Sequence, residues 1–133
     1  MGPRGGDEVN RIEPGLNYGW GEVSEGVGYD FASIPHHDSN PDFTAPEHAW
    51  GTGTAPSGLA FYQGEDFPAW RGSALVGALA GSALIRLSFE GGTPREAERW
   101  DMGARIRDVA VAPDGTVWVL EDGAPGRLLR LDP

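Results

Sequence analysis

Residues 73–89 read SALVGALAGSALIRLSF and contain two short apolar runs, Ser73–Leu79 and Ala83–Phe89. A turn of small residues joins the two runs. Runs of this length, bounded by Gly and Ser and rich in branched side chains, predict consecutive β-strands instead of a helix.

Further short runs of the same kind flank this stretch. They cover residues 58–62, 97–101, 106–112, 116–121 and 127–131, with turn signals at Gly91-Gly92 and Pro113-Asp114-Gly115. Short strands at even spacing predict an all-β fold, which could be a sandwich, a barrel or a propeller. The runs at 83–87 and 126–131 both end in Arg–Leu, and such a repeat indicates the four-stranded blades of a β-propeller. We therefore expect one blade over residues 57–102 and a partial last blade over 103–133.

The first part of the chain, residues 1–56, has a weaker pattern. A strand is predicted at Asp7–Ile12, a turn at Pro14-Gly15 and aromatic strand material at Asn17–Trp20. Residues 21–56 hold four prolines and all three histidines, and no regular periodicity. This segment predicts a long irregular connection with at most one helical turn.

Composition excludes several classes of function. The chain has 133 residues, a net charge of −10 and a pI near 4.5, so a nucleic-acid partner is not expected. It has no cysteine, and all ten basic residues are Arg, which excludes thiolate chemistry and a Schiff-base lysine. No apolar run is long enough to predict a membrane span, and no secretory signal is present in these residues.

Four strings carry a resemblance to a known family. They are residues 2–10 (GPRGGDEVN), 14–20 (PGLNYGW), 55–62 (APSGLAFY) and 105–109 (RIRDV) followed by Pro113-Asp114-Gly115. In this order they resemble the soluble glucose and aldose sugar dehydrogenases that use pyrroloquinoline quinone (PQQ), the glucose/sorbosone dehydrogenase family.

The resemblance implies a six-bladed propeller of which residues 1–133 form roughly the last third. It places the catalytic histidine on an earlier blade, so no catalytic residue is expected in this chain and the chain alone should be inactive. Met1 lies where the family usually continues upstream, which suggests a truncated gene.

Arg105 and Arg107 are the most informative pair of side chains. Residues two apart on a strand share a face, so the two guanidinium groups should lie about 6–7 Å apart. Like charges that close need water or a bridging anion, and the planar fork of Arg suits carboxylates. One interpretation is a surface pair held by Asp101 or Asp108. The resemblance implies the other, in which both arginines bind the carboxylates of PQQ.

The resemblance also implies a calcium ion held by the backbone carbonyls of Gly2 and Pro3, with Asp7 and Glu8 as possible supporting acids. Calcium takes oxygen ligands, including carbonyls. The alternative is an ordinary loop followed by a solvated strand start. The family usually has a lysine at the position of Ala80, so one contact to the quinone expected from the family is missing here.

The remaining polar clusters have plainer interpretations. His36-His37-Asp38 and His48 fit no zinc spacing, so we expect a solvated loop. Ser57 lacks the flanking glycines of a nucleophile elbow. Trp70 and Trp118 are expected to pack within blades.

The resemblance therefore predicts an enzyme that oxidises an aldose at its anomeric carbon to a lactone, with PQQ and calcium as cofactors. It implies a periplasmic or secreted location, and leaves the electron acceptor and the oligomeric state open. A non-catalytic propeller that binds protein or glycan is the alternative. A calcium-dependent lactonase would need inward-facing Glu, Asn and Asp on several blades, which this sequence does not display.

Overall fold

A computed structural model describes residues 2–51 and 53–133. The regular structure of these residues consists of nine β-strands and two single 3₁₀ turns. Met1, the residue at which an upstream continuation was predicted, and Thr52 lie outside the described residues. The strands are β1 (Asp7–Val9), β2 (His48–Trp50), β3 (Pro56–Phe61), β4 (Ala74–Ala78), β5 (Ala83–Glu90), β6 (Thr93–Asp101), β7 (Ile106–Val111), β8 (Val117–Glu121) and β9 (Leu128–Leu131), and the 3₁₀ turns are His37–Ser39 and Pro68–Trp70. The prediction of an all-β fold is confirmed.

The chain divides into two compact units, residues 1–55 and 56–133. In the first unit, β1 and β2 pair antiparallel with Asp7 opposite Trp50. Single bridges join Val27 to Arg4 and to Ser33. Most of this unit is therefore held by turns and side-chain hydrogen bonds instead of a broad sheet.

The second unit contains a four-stranded antiparallel sheet in the order β3-β4-β5-β6. Every residue of β4 is buried, as are most of the first five residues of β5. Strands covered on both faces are apolar without alternation, which explains the continuous runs in residues 73–89. The edge strand β6 is instead rich in exposed charged residues.

A three-stranded antiparallel sheet, β7-β8-β9, completes this unit. One hydrophobic core joins the two sheets; its buried members are Tyr62, Leu75, Leu84, Ile106, Val109, Val117 and Val119. Gly77 on β4 permits the close approach, since a Cβ there would lie 2.8 Å from Cγ2 of Ile106. The contact between β4 and β7 therefore places the start of β7 firmly against the four-stranded sheet.

Two predicted strands differ from the structure, and one strand was not predicted. The aromatic run Asn17–Trp20 is not a strand, because Gly19 has a φ of 75° and begins a turn in which its carbonyl accepts the amides of Glu22 and Val23. The strand predicted at 7–12 ends at Val9. The short β2 was missed because three residues are too few to show a periodicity.

No helix in the described residues is long and apolar enough to cross a membrane.

Candidate functional site

The loop that precedes β1 is built from glycines in close contact. Gly5 and Gly6 have φ values of 72° and 64°, the left-handed region that favours glycine. A Cβ on Gly2 would lie 2.1 Å from the Gly5 carbonyl oxygen, so only glycine fits at that position. The chain at Gly2 and Pro3 is therefore folded back on Gly5 and Gly6, with backbone groups packed tightly together.

Asp7 lies at the end of this loop and is 2% exposed. Its Oδ1 accepts the Gly2 amide at 2.9 Å, and its Oδ2 accepts the amides of Thr54 and Ala55 at 2.8 and 2.7 Å. The expectation of a solvated strand start is wrong for Asp7, because three backbone amides take the place of water around its carboxylate.

A cleft of about 340 Å³ opens beside the same loop. Its lining residues are Gly2, Gly6, Glu8, Asn10, Tyr18, Trp20, Val23 and Ser24. The Oδ1 atom of Asn10 is buried without a hydrogen-bond partner, while its Nδ2 donates to Glu8 at 3.3 Å. The carboxylate of Glu8 and the unpaired amide oxygen of Asn10 are oxygen donors on the wall of this cleft, which is the donor type that calcium takes.

Glu25, His36 and His37 form a second polar cluster in the first unit. The two oxygens of Glu25 lie 3.0 Å from Nδ1 of His36 and Nδ1 of His37, and Nε2 of His37 lies 3.1 Å from the Tyr18 carbonyl oxygen. The side chain of His37 is only 3% exposed. The solvated-loop interpretation is therefore wrong for His37 and for His48, which lies on β2, whereas His36 is exposed. No group of three or more His, Cys, Asp or Glu in the described residues is arranged to hold a metal ion.

Arg105 and Arg107 converge on one carboxylate oxygen. Nε of Arg105 donates to Oδ2 of Asp122 at 2.9 Å, and Nη2 of Arg107 donates to the same oxygen at 3.0 Å. Both arginine side chains remain 51% exposed, whereas Ile106 between them is fully buried. The predicted face assignment is confirmed, but the acid that pairs with the arginines is Asp122 and not Asp101 or Asp108.

The position of Asp122 follows from the pairing of β7 with β8. Its amide donates to the Arg105 carbonyl at 2.7 Å, which extends the ladder one step beyond β7. A bulge between Ile106 and Asp108 lets Ile106 and Val109 both point into the core. Hydrogen bonds from Arg105 and Arg107 hold the pKa of Asp122 below its usual value, so Asp122 is ionised between them.

Sequence reasoning missed a further pair, Glu121 and Arg127. Glu121 is 7% exposed, and Nε of Arg127 donates to its Oε2 at 2.7 Å while Nη2 bonds the other oxygen. The hydrogen bonds from Arg127 lower the pKa of Glu121. A sequence signal existed, since Glu121 occupies an inward position of β8 and an acid there requires a partner.

The other residues singled out from the sequence are structural. Ala80 lies exposed in the turn after β4. Ser57 donates to the Ile106 carbonyl at 2.8 Å, and Trp70 stacks on Phe67 at 4.1 Å against the core. Trp118 lies half-buried on β8.

The four-stranded and three-stranded sheets are antiparallel meanders in chain order that share one core, as neighbouring blades of a β-propeller do. Comparison of structures agrees: a glucose dehydrogenase matches the whole chain with a TM-score of 0.91 and 45% identity. The soluble aldose sugar dehydrogenase of Escherichia coli, in its apo-form, matches with a TM-score of 0.88 and 37% identity. The chain covers 40% of each of those two proteins.

The chain belongs to the glucose/sorbosone dehydrogenase family, whose family model matches residues 1–130. Among curated proteins, the aldose sugar dehydrogenase YliI of Escherichia coli is 39% identical over 138 residues. That match spans 99% of this chain and 37% of the relative. The chain therefore corresponds to less than half the length of the family members it matches.

Proposed function

We propose that this chain forms part of a PQQ-dependent dehydrogenase that oxidises an aldose at its anomeric carbon to a lactone. The observation that carries the proposal is the convergence of Arg105 and Arg107 on Asp122 with half of each guanidinium side chain open to solvent. Membership of a sugar dehydrogenase family supports the same activity.

The arginine pair has the charge and the donors to bind a polycarboxylate. Two guanidinium groups against one carboxylate leave a local charge of +1, and each Arg has five N–H donors of which Asp122 uses only some. The remaining donors would bind the quinone carboxylates, while Asp122 would keep the two side chains oriented. When bound, the quinone would be the hydride acceptor.

Calcium would be held by the carbonyl oxygens of Gly2 and Pro3, beside the cleft that Glu8 and Asn10 line. Its role would be to orient the quinone and polarise it as a Lewis acid. The tight glycine loop would keep the carbonyl groups in place without reorganisation.

The proton of the sugar hydroxyl would be taken by a histidine on an earlier blade and not by the histidines of this chain. Both ring nitrogens of His37 are engaged, and His36 is paired with Glu25. We also propose a periplasmic or secreted location, as the resemblance to the family implies. The electron acceptor is left open.

One observation favours a second function, a non-catalytic propeller that binds glycan or protein. The chain has no lysine, and Ala80 stands at the position where the family pocket has one. An uncharged side chain there would lower the attraction for an anionic quinone.

Quinone titration and sugar turnover together separate the two functions. The 133-residue chain with added PQQ and calcium should not oxidise glucose, whereas a longer protein carrying this chain should bind the quinone and reduce a dye with aldoses. Turnover by the 133-residue chain would show that the catalytic base lies within this chain and not on an earlier blade. A longer protein that binds glycan but neither quinone nor calcium would favour the second function.

A further inference from the structure

Asp7 joins the Gly2–Pro3 loop to a segment far away in the sequence. Its Oδ1 accepts the Gly2 amide, and its Oδ2 accepts the amides of Thr54 and Ala55 at 2.8 and 2.7 Å. These residues are 47 and 48 positions away from Asp7. All four residues belong to the first unit of the chain.

The burial of Asp7 shows how strongly this arrangement is specified. A carboxylate that is 2% exposed is costly unless donors surround it, and three amides do so here. Ala55 has a φ of 49°, which is unfavourable for a residue other than glycine. The bond from its amide to Asp7 anchors the backbone at this residue. Asp7 thus bonds the unfavourable backbone at Ala55 through Oδ2 and the Gly2 loop through Oδ1.

We propose that Asp7 is a positioning residue for the calcium-binding loop: it fixes the Gly2 backbone and thereby the direction of the Gly2 and Pro3 carbonyl oxygens. This inference rests on the proposed function and adds to it. Asp7 does not touch the ion. Its carboxylate is 2% exposed and held by three amides, so its effect on calcium is transmitted through the amide of Gly2 and the peptide that follows.

The alternative roles of Asp7 are simple charge attraction and plain fold stability, and two substitutions separate them from positioning. Asp7→Asn keeps the shape but replaces one acceptor by an NH₂ donor. If the NH₂ group faced Thr54 and Ala55, two hydrogen bonds would be lost; if it faces the Gly2 amide, only one is lost. The second orientation is therefore favoured, and it releases the Gly2 loop. Asp7→Glu keeps the charge but, with an extra methylene, cannot accept all three amides in the same geometry.

The test is calorimetric titration of the quinone-free longer protein that carries this chain with CaCl₂, with near-ultraviolet circular dichroism to confirm folding. Positioning predicts that Asp7→Asn and Asp7→Glu each bind calcium about ten-fold or more weakly than the parent while folded. Charge attraction predicts that Asp7→Glu retains the parent affinity. A purely structural role predicts a lower melting temperature with unchanged calcium affinity. Either of these last two outcomes overturns the proposal.

Two further variants complete the experiment. Asp30→Asn is the matched control, since exposed Asp30 also accepts a backbone amide, that of Ala32 at 3.0 Å, and its calcium affinity should equal that of the parent. Gly2→Ala would place a Cβ 2.1 Å from the Gly5 oxygen and displace the Gly2 backbone, whose amide Asp7 accepts, while leaving the Asp7 side chain unchanged. It should weaken calcium binding like the Asp7 variants, and it decides the matter if those variants do not fold.

The outcomes separate this inference from the proposed function. If the longer parent protein binds no calcium, the calcium part of the proposed function fails and the role of Asp7 fails with it. If the parent binds calcium and the folded Asp7 variants or Gly2→Ala bind it equally well, only the role of Asp7 is wrong.

Discussion

Nδ1 of His37 lies 3.0 Å from Oε1 of Glu25, with the imidazole almost completely buried. Nε2 of the same ring faces the Tyr18 carbonyl oxygen at 3.1 Å, and a carbonyl can only accept. Burial acts to lower the pKa of His37, but the hydrogen bonds to Tyr18 and Glu25 outweigh it and the pKa is raised. Below this raised pKa, His37 is a buried imidazolium that ties residues 36–38 to the segment containing Tyr18.

This pair predicts a defined pH dependence of stability. The folded pKa of His37 lies above its ordinary 6.5. Its contribution to the free energy of unfolding is therefore complete below pH 6.5 and is lost as pH rises through the folded pKa. Hydrogen bonding from His36, then from His37, lowers the pKa of Glu25 from its ordinary 4.5, so its contribution is lost as pH falls through that lower value. Stability should therefore be greatest between the two.

Glu25→Gln tests this assignment. The melting temperature of the parent should decrease as pH rises above about 6.5, whereas that of Glu25→Gln should start lower and change much less over the same range. His36→Gln is the matched control, because exposed His36 bonds the same carboxylate and should leave the dependence on high pH nearly intact. An equal pH dependence in the parent and in Glu25→Gln would contradict the buried imidazolium.

The same cluster shows what the sequence could not reveal. Strands β4 and β5 were predictable because burial on both faces leaves an apolar run that is visible locally. The environment of His37 was not, because its partners lie 12 and 19 residues earlier, on an irregular segment without periodicity. Likewise the alternation of Arg105, Ile106 and Arg107 was readable, but the role of Asp122 depends on how β7 and β8 are paired.

A second prediction concerns self-association of the 133-residue chain. Strand β9 pairs with β8 alone, and Leu128 on it is 64% exposed. An apolar edge strand is a template for pairing with another chain. We expect the parent to be oligomeric or poorly soluble in size-exclusion chromatography with light scattering, and Leu128→Lys to raise the monomer fraction.

Thr93→Lys supplies the control for this edge. Thr93 is exposed on β6, an edge strand of the four-stranded sheet, where charged residues already prevent pairing. This variant should behave like the parent. A parent chain that is monomeric with a sharp melting transition would contradict the edge-strand argument.

A third prediction concerns the buried carboxylate of Glu121. Arg127→Ala removes the two N–H groups that donate to the Glu121 carboxylate, so the variant should melt at a lower temperature than the parent. The difference should be larger at neutral pH than in acid, because the pairing lowers the pKa of Glu121 and protonation relieves the unpaired charge. Adding Glu121→Gln to Arg127→Ala should recover part of the loss. A difference in melting temperature that does not change with pH would show that packing, not charge, is lost.

The fourth prediction concerns the arginine pair and is made for a longer protein that carries this chain. If Arg105 and Arg107 bind quinone carboxylates, each charge-assisted bond contributes about 1.5–3 kcal/mol. Changing either Arg to Ala should then weaken quinone binding about ten-fold to a hundred-fold, and Arg→Lys should restore only part of it. Titration of the quinone-free protein, followed by absorbance, measures this affinity.

Ile106→Ala is the matched control for the arginine pair, because Ile106 lies between the two arginines but is fully buried in the core. It should destabilise the fold by about 2–5 kcal/mol through the cavity it leaves, and the folded fraction should bind quinone as the parent does. Asp122→Asn adds a second check, since it keeps both arginines but removes the charge that orients them, and it should weaken binding less than either Arg→Ala change. If both Arg→Ala variants bind quinone as tightly as the parent while Ile106→Ala does not, Arg105 and Arg107 form only a surface ion pair with Asp122, and the quinone assignment of this motif is wrong.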